Sequence, residues 1–174
     1  MSLKELTKDL HDQAENTPFM KAVFAKTLPL ELWTDWTYQR SLFYGAIEGA
    51  ADAAGLLDDL PGIRRSFYLY LDYKEMAGDK RHLFKSSVME YHKYIISLYP
   101  DADKLMAHLY TWHMGDLFGG QMIKKIIDAP HRHLEFKDSK TLMTNIRTKL
   151  KDEMADEARV AFNWAIEMLN EYKV

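Results

Sequence analysis

An all-α fold in a single domain is what this sequence predicts, on three observations. Apolar residues recur at steps of three and four along nearly the whole chain. Residues that start and stop helices punctuate it at intervals of a helix's length. No stretch shows sustained period-two alternation between hairpin turns, and Tyr68 to Tyr73, which could mimic a strand, has helical neighbours. The 174 residues suit one domain with a substantial core. No repeat, low-complexity tract or linker divides them.

The elements follow in order. Ser2 and Glu5 have capping-box spacing and open a first helix with the stripe Leu3, Leu6, Leu10 and Ala14. Thr17-Pro18 ends it and starts a short second helix carrying Phe19, Met20, Val23 and Phe24. A long helix is expected over about 30–54, with Trp33, Trp36, Leu42, Phe43 and Ile47 toward the core and Gly55 as its stop. Pro61 is expected to begin the next helix, which reaches Ala77 before Gly78. Another covers about 86–98, one bearing three glycines about 101–127, and a final one about 139–171.

Composition excludes several function classes. A net charge of −3 with both signs interspersed gives no drive toward nucleic acid. The absence of cysteine removes disulfides, thiolate ligands and cysteine nucleophiles. The opening residues Met1 to Glu5 hold no apolar core of a signal peptide, and no apolar run reaches membrane-spanning length. A soluble, cytoplasmic protein is expected. P-loop, dinucleotide and nucleophile-elbow patterns are missing, as is any His-Glu-x-x-His.

One segment stands against helical economy. Gly115, Gly119 and Gly120 fall within six residues, with Asp116 between them. Each interior glycine costs a helix about 0.5–1 kcal/mol relative to alanine. Such a cluster fits a kinked backbone or one that something flat and bulky must approach, and Asp116 would sit close to whatever lies there. The high aromatic content fits either a helical core of large side chains or an apolar ligand pocket. His11 lies at the edge of the first helix's apolar stripe with Glu15 one turn on. By itself such a histidine reads as a packed residue. With the carboxylate it gains the partner that a metal-ligating imidazole usually has. The remaining histidines point elsewhere: His82, His131 and His133 read as loop residues, and His108 and His113 are five apart and off one face. Two such helices could sandwich a heme, with His11 proximal and the 115–120 stretch distal.

At these residues the chain resembles the heme oxygenases, specifically the soluble biliverdin-producing kind of cyanobacteria, which viruses of cyanobacteria also carry. The resemblance runs colinearly through Leu6-Thr7-Lys8-Asp9-Leu10-His11-Asp12-Gln13-Ala14-Glu15-Asn16 with Phe19-Met20, and through Tyr110-Thr111, Gly115-Asp116-Leu117-Phe118-Gly119-Gly120-Gln121 and Lys124-Lys125. It implies a heme ligated by His11, with Glu15 as the nearby carboxylate. Gly115, Gly119 and Gly120 match the distal helix, and Asp116 the carboxylate that holds a distal water network. Lys4, Tyr110 and Arg147 match residues at the heme propionates, where a guanidinium suits carboxylates well. Phe162 matches an aromatic of the pocket wall.

The resemblance further implies oxidative ring-opening of heme to biliverdin, CO and ferrous iron, using O₂ and electrons from a soluble donor such as ferredoxin, with a bilin reductase downstream. Lys4, Lys8, Lys124, Lys125, Arg147, Lys149 and Lys151 are candidates for a basic face toward an acidic donor. The chain departs from the pattern at Trp112 and His113, at Phe118 in place of a small residue, at Ala165 in place of an asparagine and at Met143 in place of a lysine. The competing reading is a heme carrier or sensor that holds the ring without opening it. A relative acting on thiamine-like compounds would need a nucleophile, commonly cysteine, that is absent here.

Overall fold

A computed structural model describes all 174 residues, and every regular element in it is helical. Helix α1 (Leu3–Glu15) is opened by both halves of a capping box, Ser2 and Glu5 exchanging side-chain and backbone bonds of 3.3 and 3.2 Å. Thr17 caps α2 (Pro18–Phe24), with Pro18 in the first turn where its missing N–H costs nothing. The long α3 (Leu30–Ala53) runs through the centre, and Gly55 ends it at φ +78°. Trp33, Trp36, Phe43 and Ile47 are buried as expected, whereas Leu42 is only half-buried.

Helix α4 (Ser66–Ala77) starts later than Pro61 suggests. The backbone N–H groups of Arg65 and Ser66 donate to the two carboxylate oxygens of Glu48, at 2.6 and 3.2 Å. The cap therefore comes from α3, a partner no local pattern reveals. Helix α5 (Ser86–Ser97) follows as expected. The glycine-bearing region is not one helix but four short pieces in line. These are α6 (Ala102–Leu109), a π-helical turn (Tyr110–Met114), α7 (Gly115–Leu117) and α8 (Gly119–Ile126).

A 3₁₀ turn at Arg132–Leu134 leads to α9 (Ser139–Lys149), then a second at Asp152–Met154 to α10 (Ala155–Asn170). The expected single helix to Glu171 is thus broken at Leu150 and Lys151, both extended, and Met154 is drawn into the core without any Gly or Pro to announce it. Helix α3 packs on α4, α5 and α6, and α10 packs on α1 and α6. One continuous core joins them, and Leu10, Phe162 and Ile166 form a small separate patch between α1 and α10.

Candidate active site

The first wall of the site is α1. Its buried side, Leu3, Thr7 and Leu10, faces the protein, which turns His11 outward with more than half its side chain exposed. Glu15 Oε1 lies 3.6 Å from one ring nitrogen and Asp12 Oδ1 3.8 Å from the other. Neither reaches hydrogen-bond distance, so both nitrogens remain open to a ligand while two carboxylates stand near enough to orient the ring. The three donor groups lie within 4.8 Å of one another. Phe162 meets the imidazole edge-on, centroids 6.0 Å apart, on the small apolar patch below.

The second wall is the broken helix. A π-helical turn widens the backbone just before Gly115, and Phe118, at φ −104° and ψ −81°, interrupts it again. The kink expected of the glycines therefore falls at their flanks. The glycines also divide in role. A Cβ built on Gly115 or Gly119, one turn apart, meets nothing within 4 Å, so their Cα faces are bare and open. A Cβ on Gly120 would stand 2.8 Å from Leu134 Cδ2. Gly120 is buried and its Cβ position is taken by Leu134, whereas Gly115 and Gly119 are exposed.

Asp116 sits between these glycines, half-buried. Tyr44 donates to its Oδ2 at 2.8 Å, and Oδ1 receives no hydrogen bond from the protein. Gln121 Nε2 clamps the turn by donating to the carbonyls of Asp116 and Leu134, at 3.1 and 2.9 Å. Burial pushes the Asp116 carboxyl above its ordinary range, opposed by the nearby charges of Arg40, His113 and Arg65 and by the Tyr44 bond. Tyr44 is itself supported. The His113 ring lies tilted against it, centroids 4.8 Å apart, and His113 Nε2 lies 2.8 Å from Glu48 Oε2. Burial alone would raise Glu48, but His113 and two backbone N–H donors outweigh it and hold the carboxylate low.

The expected periphery is dispersed. Tyr110 is half-buried at the start of the π-helical turn, and Lys4 is exposed on α1. Arg147, exposed on α9, lies over the ring of Phe118 at 5.4 Å, and that ring is itself half exposed. Trp112 donates to the Tyr91 hydroxyl at 2.8 Å, Ala165 is buried, and Met143 packs against the main core. The histidines at 108, 113 and 133 are wholly buried and paired with Glu157, Glu48 and Asp72. For His133 this overturns the expectation of a loop residue in water. Two surface cavities, along α3 and α5 and between α6 and α10, touch neither His11 nor Asp116.

Sequence reasoning missed Arg40, Tyr44 and Glu48. A signal existed: Thr37, Arg40, Tyr44 and Glu48 recur at steps of three, four and four. That is a polar line along one face of a helix that also buries Trp33, Trp36, Phe43 and Ile47.

The heme oxygenase family profile matches residues 1–143. The chain belongs to the heme oxygenase family. Heme oxygenase 2 of Mus musculus is 26% identical over 200 residues, covering 97% of this chain and 64% of that protein. Heme oxygenase 1 of Gallus gallus is 32% identical over 137 residues, covering 71% and 45%. The chain thus spans less than two thirds of these relatives' length. Among solved structures, heme oxygenase-1 from Synechocystis in complex with heme superposes with a TM-score of 0.85 at 24% identity, over 97% of this chain and 89% of that one. The heme oxygenase of Leptospira interrogans gives 0.86 at 21%, over 99% and 100%. This chain, all-helical and of one domain, shares its fold with these neighbours.

Proposed function

We propose that the chain binds heme between α1 and the 115–120 backbone and opens it oxidatively to biliverdin, CO and ferrous iron. The observation that carries this reading is the pair of bare Cα faces at Gly115 and Gly119 beside a carboxylate. A flat ring needs close backbone approach, and only residues without a Cβ permit it. The donor set suits an iron porphyrin. His11 offers an imidazole with two unbonded nitrogens, Glu15 a carboxylate to orient it, Phe162 an apolar floor, and Lys4, Tyr110 and Arg147 partners for propionates.

Heme, once bound, supplies the iron that binds O₂ and the ring that is oxidised. His11 would hold the iron from α1 through its imidazole, with Glu15 placed to orient the ring. Gly115 and Gly119, which lack a Cβ, would let the backbone of the broken helix approach the ring closely. Asp116 works through water. Its Oδ2 is occupied by Tyr44, so Oδ1 is the atom that orders a solvent molecule and moves a proton through it. Phe118 and Arg147 close one rim.

The electrons come from a small acidic donor of the ferredoxin class, steered by exposed cations on α1 and α8. Lys4 and Lys125 are exposed and Lys124 half-buried, whereas Lys8, Lys149 and Lys151 are paired with Asp12, Asp59 and Asp103. Biliverdin then passes to a bilin reductase, and the reaction proceeds in the cytoplasm. A heme carrier needs His11 but not the Asp116 network. Turnover with heme, O₂ and reduced ferredoxin, followed by chromatography of the bilin, tests the reading. Loss of the Soret band with release of CO and biliverdin is expected. Asp116→Ala should retain heme and lose biliverdin, and stable heme in the unaltered chain under these conditions would leave the carrier.

A further inference from the structure

The charges beneath the distal helix do not balance in the obvious pairs. Arg40 is buried on α3, its guanidinium packed 4.8 Å from the ring of Trp33 and 5.6 Å from that of Trp36. No carboxylate lies within 4 Å of it, and its Nε has no partner. Its Nη2 donates to Thr37 Oγ1 at 3.2 Å, and its Nη1 stands 3.4 Å from His133 Nε2. His133 in turn meets Asp72 Oδ2 through Nδ1 at 2.7 Å and through its backbone N–H at 3.1 Å.

Those contacts hold Arg40 in place without neutralising it. Burial lowers His133 to about 4, so the ring is neutral, accepts from Arg40 and donates to Asp72. Asp72 already faces Arg132, 2.8 Å away. Glu48 already faces His113 and the Arg65 backbone. Arg65 spends its guanidinium on the carbonyls of Gly62, Arg64 and Glu135. Tyr172, also facing Arg40, donates to Asp35 at 2.6 Å. Two buried cations, Arg40 and Arg65, and the half-buried Asp116 remain without a salt-bridge partner, and of the two cations Arg65 has its guanidinium filled by carbonyls while the Arg40 Nε has no partner. Arg40 lies one turn before Tyr44 on the same helix, and Tyr44 donates to Asp116. Of the groups favouring the ionised acid, Arg40 is foremost.

We infer that Arg40, fixed from below by His133 and Asp72, is a positioning residue for the distal acid. Its charge keeps Asp116 a carboxylate and so keeps Oδ1 able to hold water and pass a proton. The inference takes its functional meaning from the proposed role of Asp116, but its physical content does not need heme. A buried carboxylate without a counter-charge takes up a proton instead.

The test is a carbon-13 NMR titration of aspartate carboxyls in the chain without heme, with Asp116→Asn to assign the signal. In Arg40→Met, Asp116 should take up its proton about tenfold more readily or better, and Arg40→Lys should recover most of the difference. An unchanged Asp116 midpoint in a folded Arg40→Met chain overturns the proposal. Should Arg40→Met not fold, the double variant with Asp116→Asn, which removes both charges, is expected to fold. A double variant no more stable than the single one also overturns it. Heme turnover is read separately: a titration that responds in a chain that never opens heme defeats the proposed function and leaves this inference standing.

Discussion

The phenol of Tyr44 donates a 2.8 Å hydrogen bond to Asp116, joining the middle of α3 to a carboxylate 72 residues further along the chain. The bond restrains the one acid of the glycine segment in a single orientation. A bond from a neutral donor to a charged acceptor is stronger than one between neutral groups. Tyr44→Phe preserves the ring and its contact with His113 and removes only that bond. It should cost about 2 kcal/mol in chemical denaturation and slow bilin formation, with heme binding retained. Unaltered stability would mean that the bond contributes nothing.

The two kinds of glycine separate experimentally. Gly119→Ala places a methyl into open space, so the heme-free chain should hold its stability or gain a few tenths of a kcal/mol. The same methyl should weaken heme binding, read by Soret titration. Gly120→Ala drives Cβ to within 2.8 Å of Leu134 Cδ2 and should destabilise by about 1–3 kcal/mol. Leu134→Ala in the same chain should relieve much of that. Equal behaviour of the two glycines in both measurements would contradict the division.

Acid should find a weak point at His133. The folded chain holds this ring neutral down to about 4, below its ordinary 6.5, with burial as the main cause. A lowered folded value means that the unfolded chain takes up the proton first. Stability is therefore complete above about pH 6.5 and falls as pH drops toward 4, by about 3 kcal/mol from this residue. His133→Gln should flatten the pH dependence of the denaturation midpoint across that window. The lowered Asp72 acts below the same window and does not mask it.

Glu48 caps a helix that is not its own. Glu48→Gln leaves one carbonyl oxygen for three donors, Arg65 N, Ser66 N and His113. A loss of about 2–4 kcal/mol is expected. Amide exchange should quicken first at Arg65 and Ser66. Uniform acceleration over all helices would point to a general loss of packing instead.

Helical periodicity was enough to place α1, α2 and α3, because their signals are local: Ser2 with Glu5, Thr17 with Pro18, and Gly55. The start of α4 and the break before α10 were not legible. One is set by a carboxylate from α3, the other by the burial of Met154, and neither leaves a Gly or Pro mark. The glycine segment announced a bent backbone, yet its bends fall at a π-helical turn and at Phe118, where no residue type demands them.

By itself the sequence determined the helical class, the His11–Glu15 pair one turn apart and a carboxylate set among glycines. Each of these depends on residues close in sequence, and for His11 and Glu15 the 3.6-residue turn converts that spacing directly into geometry. Only the tertiary structure decided which glycines face open space, that Tyr44 holds Asp116, and that Arg40 and His133 carry buried polar contacts beneath it. Those facts depend on which helices meet, and a buried hydrogen bond or charge acquires its partner only when separate segments pack and exclude water.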